Sequence, residues 1–358
     1  RAGAMGDAGV ATTPDVYSMH WNPAKFAFID GKAGVGISYV PWLRNLVPDI
    51  NIAYLTGYKR IDKKQVLSGS LIYSSLGDVQ FTDIYGNFMM NFKPNELAVD
   101  AAYSRLLTEH FSGGIAFRFI YSDLSGGSYI NGESSKPGIS FAADVSGYYQ
   151  KSVTLFNKET MIGIGVNFSN IGTKMSYSDS HAADFIPMNL RIGTSGTINL
   201  DSYNKLTLTV DLNKLLVPTP PLYYAVGEVD SKGDTVKAAL SEIKAGKDPN
   251  VPVALAIFQS FADAPGGFSE ELREITYSLG AEYWYNNQFA IRGGYFHEDA
   301  TKGNRKYFTA GAGFRMKGFT IDFSYLMPVK QNNPLARTLR FSLSFDLSAL
   351  RNASKSST

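Results

Sequence analysis

Near the end of the chain, Leu339, Phe341, Leu343 and Phe345 alternate with Arg340, Ser342, Ser344 and Asp346. A β-strand turns successive side chains to opposite faces, so this stretch gathers its large apolar groups on one side and its polar groups on the other. About fourteen segments share that alternation: 33–40, 50–58, 66–73, 97–107, 111–121, 139–150, 161–168, 188–196, 206–212, 275–285, 289–296, 307–316, 319–326 and 339–346. The question is whether the apolar face meets a protein core or lipid.

The connections bear on that choice. Long links at 74–96, 122–138, 170–187 and 215–274 alternate with tight ones at 108–110, 286–288 and 317–318. Short periplasmic turns alternating with long outer loops are the pattern of an antiparallel barrel in a bacterial outer membrane, and such barrels have even strand numbers. Aromatic residues mark the segment ends. Tyr39, Tyr73, Tyr121, Phe168, Tyr295 and Tyr325 would form one interfacial girdle, and Tyr58, Tyr149, Tyr285, Phe345, Phe111, Phe289 and Phe319 the other, where rings sit between hydrocarbon and water. Any β-protein attracts aromatics to strand ends, but a soluble sandwich has no reason to segregate loop length as well. The expected fold is all-β: a transmembrane antiparallel β-barrel of about fourteen strands, multi-pass in a Gram-negative outer membrane with its long loops facing the exterior.

Composition sharpens this picture without changing it. Gly 34, Tyr 21 and Phe 23 suit strands and tight turns, and only 18% of residues are charged. A net charge of +2 with intermixed signs gives no argument for a nucleic-acid partner. The absence of cysteine excludes disulfides and cysteine-bound metals. No apolar run reaches the roughly 18 residues of a spanning helix. The chain begins without a charged-then-apolar leader, so a secretory signal is expected to have been removed or left out.

If the apolar face meets lipid, the other face lines the lumen. It carries Asp100, Asp144, Asp211, Glu282 and Asp322 against Arg118, Arg191, Arg292, Arg315 and Arg340. Ions in such a place require partners or water, and the near balance of signs predicts cross-lumen ion pairing that stiffens the wall rather than a substrate path. The first thirty residues do not alternate. They are rich in small residues, with Asp15 after Pro14 and Asn22-Pro23-Ala24 before the first strand, and are too polar and glycine-rich for lipid, so they are expected to fold inward as a plug. The division expected is 1–31 plug, 32–347 barrel with a long loop at 215–273, and 348–358 a disordered tail.

The link at 215–274 exceeds what a simple connection needs, which points to function or disorder. Pro218, Pro220 and Pro221 stiffen its start. A charged piece at 237–244 has helical spacing, and 253–261 is apolar over nearly its full length, with Val253, Leu255, Ile257, Phe258 and Phe261. Exposed on a rim, such a segment needs cover from another protein, from the loop itself or from the wall. Both a partner-binding surface and a self-packed lid are open readings; the residues assigned to it extend through Asp263, Pro265, Gly266, Gly267 and Phe268.

Catalysis finds no support. His20, His110, His181 and His297 are scattered with no metal-ligand spacing. His181 beside Asp179 and Ser180 lies in one loop and reads as solvated polar residues rather than a triad. Gly34 and Gly36 lie within a strand and open no phosphate-binding helix, while Glu270 and Glu271 suit the first turn of a helix. No cofactor and no metal are expected.

The small-residue-rich start ending in Asn22-Pro23-Ala24 resembles the FadL-like outer-membrane barrels, which have fourteen strands and an N-terminal hatch in the lumen. Within that group the chain is similar to the PorV family of the type IX secretion system, at Leu215-Leu216-Val217-Pro218-Thr219-Pro220-Pro221 and at Asp263-Ala264-Pro265-Gly266-Gly267-Phe268-Ser269-Glu270-Glu271-Leu272. The resemblance implies a non-enzymatic receptor and shuttle. It would bind the C-terminal signal domain of exported cargo at the giant translocon barrel and carry it to a sortase-like attachment complex that links cargo to lipopolysaccharide. The alternative is a FadL-type channel for hydrophobic small molecules.

Overall fold

The structure, a computed structural model, describes residues 1–349 apart from 44–46, 48, 84, 128, 131–132, 156, 180–182, 231–232, 238, 241 and 331–332. The fourteen alternating segments become the fourteen strands of one closed antiparallel barrel. These are β1 (Ala33–Pro41), β2 (Ile50–Arg60), β3 (Gln65–Leu76), β4 (Asn95–Leu106), β5 (Phe111–Asp123), β6 (Gly138–Leu155) and β7 (Lys158–Gly172). The second half is β8 (Asn189–Asn199), β9 (Asn204–Leu215), β10 (Thr276–Tyr285), β11 (Phe289–His297), β12 (Lys306–Met316), β13 (Phe319–Pro328) and β14 (Leu339–Asp346). Each strand pairs with its sequence neighbour, and β14 closes on β1 with Val35 opposite Phe345 and Ile37 opposite Leu343. Closure leaves no edge of unpaired backbone, which hydrocarbon would penalise. Among the described residues no helix is long and apolar enough to cross a membrane; strands do the crossing.

Parity holds along the wall. Ile37, Phe117 and Ile291, at 50%, 66% and 65% exposure, stand outward with their apolar neighbours, while Thr56, Ser104, Asp211 and Glu282 are buried on the inner side. One girdle assignment fails. Tyr58 turns inward and packs on Phe26, with ring centroids 5.4 Å apart, because β2 has outward positions at Leu55 and Gly57, of the opposite parity. Connections at one end are short, such as 200–203 and 317–318, and those at the other long. Three small hairpins decorate the long-loop end: Val79–Thr82 with Phe88–Phe92, Tyr129–Ile130 with Glu133–Ser134, and Leu222–Tyr223 with Ile243–Ala245. The last replaces part of the helix suggested by charge spacing at 237–244: Ile243 and Ala245 have strand partners, and backbone pairing outweighs a weak helical periodicity. The tail beyond residue 349 lies outside the described residues.

The N-terminal segment occupies the lumen as three short helical pieces: a 3₁₀ turn Ala2–Ala4, α1 (Ser18–Trp21) and a 3₁₀ helix Pro23–Phe28. Val16, Met19, Phe26 and Ile29 from this hatch make a core with Tyr58, Val66, Ala102 and Ala116 of the wall. It is a hydrophobic core inside a barrel whose other apolar surface faces out.

Candidate functional site

Asn22 ties the hatch together and to the wall. Its side-chain oxygen accepts the N–H of Ala24 at 3.0 Å, capping the 3₁₀ helix that Pro23 begins. Its amide donates to Val10 O at 3.1 Å and Gly147 O at 3.0 Å, tying two hatch segments to β6. The carbonyls of Pro23 and Ala24 accept from Ser104 and Ser112 at 2.7 Å each. The Asn-Pro-Ala element is thus a three-residue connector to β4, β5 and β6. Lys25 is buried beside it, its Nζ donating to Gly9 O at 2.8 Å and Thr12 Oγ1 at 3.0 Å. Burial pulls its pKa down to about 8.

The lumenal charges form separate groups, several of them completed by the hatch. Arg118 reaches Asp100 at 2.6 Å and Asp144 at 3.3 Å, on the adjoining strands β4 and β6. Arg292 bridges Glu282 at 2.6 Å and Asp322 at 2.7 Å, and Arg1 adds a fork onto Glu282 at 3.0 and 2.8 Å while reaching Asp15 at 3.2 Å. Arg340 pairs with Asp7, which also accepts from Tyr307 at 2.6 Å. Burial opposes ionisation of Asp7, but Arg340 outweighs it and holds the carboxyl below its usual range. Burial likewise opposes ionisation of Asp15, and Lys25 and Arg1 hold it down.

The expected pairing across the lumen among the ten strand charges is therefore corrected in four places, the first being Arg340, whose partner is Asp7 of the hatch. Asp211 accepts backbone N–H groups of Gly9 at 2.7 Å and Val10 at 2.9 Å rather than an arginine. Arg315 lies over the Trp284 ring at 4.7 Å, and Arg191 over Trp21 at 4.8 Å. A strand spacing reveals which face a charge takes but not which hatch atom will meet it, and Arg1, Asp7 and Asp15 were missed for that reason.

Above the hatch, in the long-loop half of the lumen, lies a cavity of about 910 Å³. Asp7, Asp15, Tyr17, His20 and Trp21 form its floor, and Trp42, Tyr177, Phe185 and Leu215 border it toward the rim. Its walls mix aliphatic residues such as Ile72 and Ile120 with the Arg118 and Arg340 groups.

The long loop is clamped rather than free. Val253–Gln259 forms α2, whose Val253, Ala256 and Ile257 pack with Met188, Leu216, Phe168 and Leu190. Phe268–Arg273 forms α3. Glu271 of α3 accepts the N–H groups of Asp263 and Ala264 at 2.7 and 2.8 Å, and pairs with Lys214 at 2.9 Å. Glu274 joins Lys214 at 2.6 Å, Lys302 at 2.9 Å and the Thr219 hydroxyl at 2.8 Å; Glu270 meets Lys302 at 2.5 Å. Lys214 has the outward parity of β9 yet is buried, so α3 covers the outer face of the wall at that height. The hydrogen bond from Lys302 holds Glu270 below the ordinary glutamate range, and Lys214 and Lys302 overcome burial to do the same for Glu274. Burial raises the pKa of Asp263, whose carboxylate accepts from Thr219 N at 3.2 Å.

This clamp divides the sequence-assigned loop residues. Val253, Ile257, Asp263 and Pro221 turn inward, Pro218 and Pro265 are half-buried, and Pro220, Gly266 and Gly267 are exposed. Leu255, Phe258, Phe261, Phe268 and Leu272 are left uncovered by the protein, Phe258 at 76% and Phe268 at 77% exposure. The two glutamates read as helix-start residues do begin α3, but their clamping role depends on Lys214 and Lys302, distant in sequence. His20 is in α1, His110 in the β4–β5 turn and His297 at the end of β11; His181 lies outside the described residues. Among the described residues no group of acids and histidines is arranged to hold a metal.

Solved structures with the same architecture include the CymD monoaromatic hydrocarbon channel, 13% identical, with TM-score 0.53 over 97% of this chain and 96% of that one. The toluene transporter TodX of Pseudomonas putida is 13% identical, with TM-score 0.54 over 96% of both chains. At that identity the likeness is one of fold. No curated protein matches the chain. Residues 1–222 match the family described as Type IX secretion system protein PorV. That segment holds the hatch, its Asn-Pro-Ala connector and β1 through β9, and stops short of α2 and α3. A hatch-filled, fourteen-stranded outer-membrane barrel carrying that match over most of its length belongs to the PorV family of the type IX secretion system.

Proposed function

We propose that this barrel is a non-enzymatic receptor and shuttle, its long loops facing the cell exterior, that holds the C-terminal signal domain of exported cargo. It takes the cargo from the translocon barrel and delivers it to the sortase-like complex that attaches it to lipopolysaccharide. The observation that carries this reading is the apolar ridge of Leu255, Phe258, Phe261, Phe268 and Leu272. α2 packs on the wall through Val253, Ala256 and Ile257, and α3 is tied down through Lys214 and Lys302. A mobile loop would lose much of its binding energy to ordering, whereas an apolar surface fixed in advance does not. Exposed clusters of this kind mark interaction sites, and aromatic anchors dominate binding energy.

The test is replacement of Phe258 and Phe268 by Ser, positions exposed enough to spare the fold. Cargo co-purification should fall while barrel assembly, read as heat-dependent gel mobility, stays intact. Unchanged co-purification, with weakened retention of the loop at a membrane surface, would make the ridge a lipid contact and remove it from the receptor. The channel reading draws on the lumenal cavity and on the fold shared with hydrocarbon channels. Uptake of a lipophile into liposomes carrying the protein would favour it; a receptor gives none.

A further inference from the structure

The lumenal cavity has a charge pattern that the ion pairs of the wall do not use up. Arg191, on β8, stands between Asn167 and Asn213 of the adjoining strands and holds its guanidinium carbon 4.8 Å from the centroid of the Trp21 ring of the hatch. Among the described residues it has no ion-pair or hydrogen-bond partner. The acids that act on it electrostatically are Asp211 and Asp7. Asp211 is engaged by the amides of Gly9 and Val10, and Asp7 by Arg340 and Tyr307. A guanidinium resting against an aromatic ring, with no acid paired to it, leaves its N–H fork for a carboxylate.

The same cavity is not simply a site for anions. Five arginines face seven acids around it, so a ligand carrying negative charge alone would meet a net negative wall. Two of those acids, Glu96 and Asp184, have no cationic partner among the described residues. The same cavity is lined by the apolar side chains of Ile72, Ile120, Phe185 and Ile186. A ligand that fits has one carboxylate, cationic groups set back from it, apolar groups between, and a cross-section small enough to enter about 910 Å³. A fatty acid supplies the first and third but not the second.

We infer that the cavity receives the C-terminal end of an extended peptide, Arg191 binding its terminal carboxylate and Glu96 and Asp184 binding basic side chains a few residues upstream. This rests on the reading of the protein as a receptor for C-terminal signal domains and assigns it a second, lumenal point of attachment, apart from the α2–α3 ridge. The polar side chains of Asn189 and Asn213, both lining the cavity, face the peptide groups nearest that end.

The experiment uses the whole barrel chain in detergent and a type IX signal domain with a free C-terminal carboxylate and a lysine a few residues before it. The comparison ligands are the same domain with its C-terminus amidated, the domain with that lysine changed to alanine, and palmitate as competitor. Amidation should weaken binding on the order of 10- to 100-fold, the loss expected for a charge-assisted pair. Arg191→Gln should weaken the free-carboxylate domain similarly and abolish the difference between free and amidated forms, a coupling that general damage to the barrel does not produce. Arg191→Lys should recover part of the loss. Replacing that upstream lysine should weaken binding to the native barrel and have little effect on Glu96→Gln/Asp184→Asn. Equal binding of free and amidated domains overturns the inference and leaves the receptor reading to the ridge. Displacement by palmitate with no effect of amidation assigns the pocket to a lipid and also overturns it. Failure of every form of the domain to bind the native barrel overturns the receptor reading itself.

Discussion

Asp211 of β9 accepts the backbone N–H of Val10 at 2.9 Å, a hydrogen bond spanning 201 residues of sequence that fixes the hatch against the wall. The same carboxylate oxygen takes Gly9 N–H at 2.7 Å. Asp211→Ala leaves two buried amides without their acceptor, a loss of about 1–3 kcal/mol. We expect the strands to stay paired and the hatch to loosen, seen as protease cleavage within 1–30 before the barrel unfolds. Asp211→Asn keeps one acceptor oxygen and should lie between.

Two adjacent glycines on β11 offer a controlled comparison. A Cβ at Gly294 would stand 2.1 Å from Gly6 N and 2.2 Å from the Met5 carbonyl carbon, backbone that cannot rotate away. At Gly293, on the outward side, it would find its nearest neighbour at 3.9 Å. Gly294→Ala should displace the hatch and lower the unfolding midpoint, whereas Gly293→Ala should change neither. Equal effects would mean that the hatch does not press on β11.

The buried Lys25 gives the hatch a pH signature. Its folded pKa is about 8 against a reference near 10.5, so the folded chain releases the proton first as pH rises. Between those values the unfolded chain binds more protons and stability climbs with pH; below about pH 8 the burial penalty is fully present. Lys25→Met should flatten that climb while costing stability throughout, because Gly9 O and Thr12 Oγ1 lose their donor. Denaturant midpoints between pH 7 and pH 10.5, taken from the ordinary range of lysine, check both.

The loop clamp has the opposite dependence. Glu270 and Glu274 lie below the ordinary glutamate value in the folded protein, so their contribution is present above that value and disappears as pH falls through the lowered ones. Protease sensitivity of 253–273 should rise in acid before the barrel changes. Lys302→Ala should shift that rise upward in pH by a modest amount, since a partly exposed pair is worth about 1 kcal/mol or less and Lys214 still holds Glu274.

The barrel was legible in the sequence because lipid imposes one rule on every strand. All backbone groups must pair and every outward side chain must be apolar, so the alternation of Val35, Ile37 and Tyr39 or of Phe341, Leu343 and Phe345 repeats around the wall. Fourteen strands, their order and the alternation of loop lengths followed from local pattern. Tyr58 was assigned by its place at a strand end, although its parity, opposite to that of Leu55, turns it inward onto Phe26.

What the chain by itself determined is thus the solvent of each face: hydrocarbon outside, polar groups within. What only the tertiary structure decided is which polar group meets which. Asp7 with Arg340, Asp211 with Gly9 and Val10, and Glu271 and Glu274 with Lys214 join residues far apart in sequence. The physical reason is that burial of apolar surface is additive and non-directional and leaves a periodic trace, whereas a hydrogen bond or ion pair depends on a few tenths of an ångström between atoms that only the folded hatch, wall and loop bring together.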